Sequence, residues 1–208
     1  MQIKICGLFR DEDIDFVNEA RPDYAGFVFA ASSRQVSAVL AQYLRFRLAN
    51  EITPVGVFVN APIAQIVELY RNNIISIAQL HGNEDESYIN QLKKLSEVNI
   101  RQTKIPAIKV IKTLFPNSGL WSKNIPSNAD YYMIDSGSGS GKTFNWDILK
   151  SIKFSKPWFL AGGIDLKNIN KAMMHKPFAI DVSSGAETDG IKDRQKILDL
   201  TAAVKGKK

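Results

Sequence analysis

A single cysteine, Cys6, rules out a disulfide framework. A lone thiol suits a reducing compartment, where it either packs or reacts. Long hydrophobic runs are also missing: none approaches the roughly 18 residues that a membrane-spanning helix requires. The opening Met1-Gln2-Ile3-Lys4-Ile5-Cys6-Gly7-Leu8-Phe9 is too short and too polar for a secretory leader, and it runs directly into Arg10-Asp11-Glu12-Asp13. A cytoplasmic location is therefore expected, with no membrane partner. Basic stripes interleaved with aromatics are absent, as are nucleic-acid-binding motifs, so no nucleic-acid partner is expected. The formal charge of +6 is partly carried by the tail, Lys205-Gly206-Lys207-Lys208. That tail reads as a solvated, disordered end that aids solubility. Mild basicity also suits a small anionic substrate.

What is present is the composition of an ordinary globular protein: 208 residues, 45% hydrophobic and 23% charged. That length can bury a real core in one domain. Short β-branched or aromatic runs alternate with longer amphipathic ones. Strands are expected at 3–6, 24–29, 54–59, 75–80, 107–112, 131–134, 158–161 and 178–182. Helices are expected at 13–20, 37–49 (capped by Ser37), 62–71 (opened by Pro62), 84–95, 146–152, 166–174 and 192–204. The stretch 114–129 is the weakest unit, because Pro116 and Pro126 limit any helix.

Roughly eight β-then-α units with no linker between them imply a parallel sheet. An open doubly wound sheet of that many strands would be wide for this chain, so the expected fold is a single (β/α)8 TIM barrel spanning residues 1–208. A barrel places its chemistry at the C-terminal ends of the strands. There the sequence offers Cys6-Gly7, Ala30 to Arg34, Asn60, His81-Gly82, Asp135 with a Gly/Ser loop, Gly162-Gly163, and Asp181 followed by Ser183-Ser184-Gly185. His175, on the last turn of an expected helix, reads as surface.

The Gly/Ser loop ends in Gly141-Lys142-Thr143 and superficially suggests a nucleotide-binding P-loop. That pattern needs a glycine five places before Gly141, and the residue there is Ser136. The helix that should follow is also short, ending by Lys156-Pro157. A better reading is a mobile cover beside Asp135, given its freedom by Gly137, Gly139 and Gly141. The phosphate-binding function falls instead to Gly162-Gly163 and Ser183-Ser184-Gly185. They follow the last two strands, where barrels commonly hold a phosphate on backbone N–H groups.

Together these segments resemble the phosphoribosylanthranilate isomerase family. The resemblance rests on Lys4-Ile5-Cys6-Gly7 with Arg10, Gly26-Phe27-Val28-Phe29, Gly56-Val57-Phe58-Val59-Asn60 and Gln79-Leu80-His81-Gly82. It continues in Asp135 with Gly141-Lys142-Thr143-Phe144-Asn145-Trp146, in Ala161-Gly162-Gly163, and in Asp181-Val182-Ser183-Ser184-Gly185-Ala186-Glu187. The motifs run in family order over residues 3 to 198. The resemblance implies an Amadori rearrangement in tryptophan biosynthesis: N-(5-phosphoribosyl)anthranilate becomes 1-(o-carboxyphenylamino)-1-deoxyribulose 5-phosphate. It implies no cofactor, no metal, and a chain acting as monomer or homodimer. It also implies Cys6 as general base, Asp135 as general acid, and Arg34 against the anthranilate carboxylate.

The chemistry suits those residue types. Opening the furanose needs an acid that holds its proton at neutral pH, which a partly desolvated carboxyl can supply. The resulting Schiff base must lose its C2 proton to a base, and a thiolate serves if a neighbour lowers its pKa. Strand alternation turns Lys4 and Cys6 to the same interior face, so Lys4 could tune the thiolate or pair with the inward Asp181. His81 shares parity with Gln79 and should face the mouth, as a substrate-positioning or structural group. Leu8-Phe9 and Ser33-Arg34-Gln35 depart from the usual family residues near the anthranilate pocket. Two alternatives share parts of this pattern: a related phosphosugar barrel, such as the histidine-pathway isomerase of a larger aminoaldose, and a P-loop nucleotide-binding protein.

Overall fold

In the computed structural model, which describes residues 1–100, 103–116, 125–136, 145–151 and 153–206, eight parallel strands close into a barrel. They are β1 (Gln2–Cys6), β2 (Tyr24–Val28), β3 (Thr53–Phe58), β4 (Ile77–Leu80), β5 (Lys109–Leu114), β6 (Tyr131–Ile134), β7 (Trp158–Leu160) and β8 (Ala179–Val182). Each pairs with its neighbour in the chain, and β8 closes on β1 with Lys4 opposite Asp181. The expected (β/α)8 barrel is the observed fold. Among the described residues, no helix is long and apolar enough to cross a membrane.

The outer layer contains α1 (Asp11–Ala20), α2 (Ala38–Arg47), α3 (Ile63–Arg71), α4 (Glu86–Ser96), α5 (Ile169–Met174) and α6 (Arg194–Lys205). Their starts are written in side chains. Asp13 accepts from the amides of Phe9 and Arg10, Ser37 from Leu40, Asp85 from Tyr88, and Asp193 from Lys196. Each satisfies a donor that the first helical turn leaves unpaired.

Several boundaries differ from the sequence reading. The helix expected from Leu166 begins only at Ile169, because Asp165 accepts from the amides of Lys167 and Asn168 and holds a local turn there. Trp146–Ser151 is a 3-10 helix rather than an α-helix. Asn145 accepts from the Asp147 amide at its start. β5 runs Lys109–Leu114, not 107–112. Two hairpins were not anticipated, Val98–Ile100 with Thr103–Ile105, and Glu187–Thr188 with Ile191–Lys192. The second turns at Asp189-Gly190, both with positive φ, which is the Asp-Gly signature of a tight hairpin. His175 is not a plain surface residue: it is half-buried, with its ring edge against Trp146. Residues 137–144, where the Gly/Ser cover was expected and which include Gly141-Lys142-Thr143, lie outside the described residues, as do 207–208 of the basic tail; Lys205, expected in a disordered tail, instead ends α6 and pairs with Asp23.

Strand alternation sorts the core in two. One face of the strands packs outward against the helices, through Ile3, Ile5, Phe27, Phe58, Leu80 and Ile180 among others. The other fills the barrel. Tyr24, Ile77, Ile111, Tyr131, Phe159 and Phe178 form its apolar floor, with Tyr24 and Tyr131 each set edge-on to Phe159. Two residues beyond Ile77, Ile111 and Ala179, the inward positions are polar, Gln79, Thr113 and Asp181, with Lys4 on β1. The apolar floor therefore leaves Lys4, Gln79, Thr113 and Asp181 on the side of the strands' C-terminal ends.

Candidate active site

At that end a cavity of about 80 Å³ is lined by Arg34, Asp135, Ser136, Gly162, Gly163, Asp181, Ser183 and Ser184, with Ala161 and Ile164. Pockets that swallow a whole drug-sized ligand are roughly 300–1,000 Å³. This one therefore fits one end of a ligand, such as a phosphate. The structure brings together Arg34, Asp135, Gly162, Gly163, Asp181, Ser183 and Ser184 of the expected site residues. Cys6 and His81 stand beside the cavity rather than lining it.

The glycine-lined end of the cavity follows from backbone shape. Gly162 has φ +90, and a Cβ there would come within 2.5 Å of Ser136 Oγ. Only glycine lets the loop after β7 lie against the end of β6. Ser136, missed in the sequence reading except as a P-loop mismatch, thus joins the cavity wall.

Cys6 lies below this rim, buried at the end of β1. Its neighbours are set by register. Cys6 is opposite Gly26, where a Cβ would lie 2.6 Å from Sγ and 3.1 Å from Lys4 Cε. The missing side chain is the room that the thiol and the ammonium occupy. Gly26→Ala should therefore fold but displace the thiol, costing about 1–3 kcal/mol of stability by overpacking and up to about 10²-fold in kcat. Thermal melts and steady-state rates check both.

Lys4 is fully buried and donates to Asp181 Oδ1 at 2.9 Å. Burial opposes its charge, but Asp181 and Cys6 outweigh that and push its pKa up to about 12. The Cys6 thiol moves the other way from the sequence expectation. Burial pushes its pKa up, and the opposing pull of Lys4 does not cancel this, partly because Asp181 adds a second negative charge. The sequence reading had the cation but not the buried carboxylate competing for it. Burial likewise pushes the Asp181 carboxyl up, against the pull of Lys4.

His81 follows β4 and faces Asp135, with Nε2 3.8 Å from Oδ2. Its Nδ1 is 3.0 Å from Thr113 Oγ1 and 3.4 Å from Gln79 Nε2. Nε2 is the nitrogen turned to Asp135. Burial pushes the imidazole below its ordinary pKa despite the nearby Asp135, so it stands neutral at pH 7. The loop carrying it is pinned by Glu84, which accepts from the amides of Asn60 and Gly82 and from Lys112 Nζ at 2.9 Å. The sequence reading assigned no role to Glu84 or Lys112.

Arg34 reaches the cavity from the loop after β2. Its Nε and Nη2 donate to the two carboxylate oxygens of Glu187, each at 2.6 Å. Glu187 also accepts from the buried Lys192.

A model of the family described as N-(5'phosphoribosyl)anthranilate (PRA) isomerase matches residues 3–203. The chain belongs to this family. It is 43% identical over 204 residues to the N-(5'-phosphoribosyl)anthranilate isomerase of Endomicrobium trichonymphae, covering 95% of each chain. Among solved structures, it matches the phosphoribosyl anthranilate isomerase of Thermotoga maritima with a TM-score of 0.81 at 30% identity, covering 99% of each. A second family member, solved in complex with reduced 1-(o-carboxyphenylamino)-1-deoxyribulose 5-phosphate, matches with a TM-score of 0.75 at 26% identity over 99% of each chain. The family resemblance read from the sequence motifs is thus the observed relationship.

Proposed function

We propose that this site isomerises N-(5'-phosphoribosyl)anthranilate to 1-(o-carboxyphenylamino)-1-deoxyribulose 5-phosphate in tryptophan biosynthesis. Asp135 is the general acid and Cys6 the general base. The observation that carries the assignment is the convergence of a carboxyl, a thiol beside a buried cation, an arginine and a glycine-serine anion cradle at one barrel mouth. The phosphate sits on the backbone of Gly162 and Gly163 and beside Ser183, whose hydroxyl donates to the Cys6 carbonyl, and Ser184. The anthranilate carboxylate lies against Arg34. Asp135 protonates the ring oxygen as its bond to C1 breaks, and the nitrogen lone pair forms the C1=N Schiff base. The Cys6 thiolate takes the C2 proton, and that electron pair moves to give the enolamine. Ketonisation then adds a proton at C1 and releases the O2 proton, which restores the proton balance of both groups. His81, neutral, positions Asp135 through Nε2. Asp181 holds Lys4 at the floor of the substrate cavity.

The test is loss of the substrate's anthranilate fluorescence on addition of the protein. Turnover of this compound, with the larger aminoaldose of histidine biosynthesis left untouched, is the expected result. Turnover of only the latter would reassign the site within the phosphosugar barrels.

Only the deprotonated thiol can take the C2 proton, so the working fraction of enzyme at neutral pH is its thiolate fraction. Lys4 is a cation that favours the thiolate. Removing it raises the thiol pKa further and shrinks that fraction, about tenfold in kcat/KM for each unit. Lys4→Met should therefore lower kcat/KM at pH 7 and move upward the limb of its pH profile that the thiol sets. An unmoved limb would show that Lys4 serves Asp181 alone.

A further inference from the structure

Beside the cavity runs a chain of charges of which the reaction scheme uses only the first, Arg34. Arg34, Glu187 and Lys192 have side chains 23%, 5% and 0% exposed. Glu187 and Lys192 face each other across the small hairpin after β8. Glu187 presents both oxygens to the Nε and Nη2 edge of Arg34. That fork leaves Nη1 outside the pairing, on a residue that lines the cavity. The Arg34 stem is fixed as well, with its Cδ lying where a side chain on Gly7 would stand. Lys192 divides its donors between Glu187 and the carbonyl of Ser183 at 3.1 Å. Lys196 anchors the backbone of Glu187 by donating to its carbonyl at 2.6 Å. Burial raises the Glu187 carboxyl, but the hydrogen bonds from Arg34 and Lys192 outweigh it and hold it below its ordinary pKa.

We propose that Glu187 is the positioning residue for carboxylate recognition, holding the Arg34 guanidinium edge-on so that Nη1 meets the aromatic carboxylate of the substrate. The charge balance explains the third member. Arg34 paired with Glu187 alone would be neutral and a poor site for an anion. Lys192 restores one unit of positive charge to the group, which matches the single charge of a carboxylate. Arginine suits the task because its planar fork can hold one carboxylate on each of two edges. A lysine in its place could not fix the direction of the second.

This inference rests on Arg34 as the carboxylate contact, and the test separates the two. Binding is measured by calorimetry, independent of turnover, with two ligands. One is reduced 1-(o-carboxyphenylamino)-1-deoxyribulose 5-phosphate; the other is its phenylamino counterpart, which keeps the phosphate and lacks the carboxylate. The parent protein should prefer the first. Equal affinity for both would remove the Arg34 reading itself. Glu187→Gln should weaken the first ligand about 10- to 100-fold, the range for one hydrogen bond to a charged group, and leave the second within about twofold. The double variant with Arg34→Ala should bind the first ligand no more weakly than Arg34→Ala alone. Glu187→Asp covers the case in which the glutamine variant does not fold. It keeps a charge for Lys192 but is too short for the fork, and it should show the same selective loss. Equal weakening of both ligands would mean that Glu187 merely supports the Ser183 loop. A parent-like preference in the folded variants would also overturn the proposal.

Discussion

Asp135→Asn should lower kcat by about 10²- to 10⁴-fold, the usual contribution of a placed general acid, while leaving KM close to the parent value. The amide matches the carboxyl in size and can still meet Ser136 Oγ, 3.4 Å from Oδ1, and His81 Nε2, 3.8 Å from Oδ2. What it cannot do is deliver a proton to the ring oxygen. The proposed anchoring groups of the substrate, the Gly162-Gly163 backbone, Ser183, Ser184 and Arg34, are untouched, so ground-state binding should persist. Ring opening then becomes rate-limiting. With substrate deuterated at C2, the variant should show an isotope effect near unity, because that proton leaves only after the slow step. Full activity in Asp135→Asn would remove the acid assignment.

His81→Asn is the informative companion. If neutral His81 only orients Asp135, the loss should be smaller than that of Asp135→Asn, and the double variant should be no slower than Asp135→Asn alone.

Much of this site could be read before any coordinates. Alternation along a strand is a strict geometric rule, so the shared parity of Lys4 with Cys6 and of Gln79 with His81 was enough to turn them inward. The βα repeat then said which end of each strand mattered. What stayed hidden depends on distances that no local pattern encodes. Arg34 and Glu187 are 153 positions apart, and a glutamate inside a family motif carries no mark of its partner. Glu84 and Lys112 join two loops in the same way. The direction of the Cys6 shift was hidden for another reason. It reflects opposing influences, burial and Asp181 against Lys4, and a sequence names these groups without their distances. The Asp189-Gly190 hairpin was legible and overlooked, because the strands it joins are only two residues each. Yet that hairpin is what sets Glu187 opposite Lys192.

Cys6→Ala should be the other severe loss, again about 10²- to 10⁴-fold in kcat, but with the opposite kinetic signature. Asp135 can still open the ring, so the Schiff base forms and waits for a base. Removal of the C2 proton becomes the slow step, and deuteration at C2 should produce a full primary isotope effect. Cys6→Ser separates packing from chemistry. Its hydroxyl restores most of the lost volume beside Gly26 and a possible partner for Lys4, but an alcohol in so buried a place resists ionisation more than a thiol does. It should therefore melt near the parent and be almost as slow as Cys6→Ala. Should the serine variant recover most of the rate, a thiolate is not the base, and the proton must leave by another route. The raised pKa of the parent thiol gives this contrast its meaning. A group that ionises reluctantly is present as thiolate in only a small fraction of molecules, but each such thiolate is a stronger base. Burial at the end of β1 thus exchanges abundance of the base for strength, and Lys4 limits how far that exchange goes.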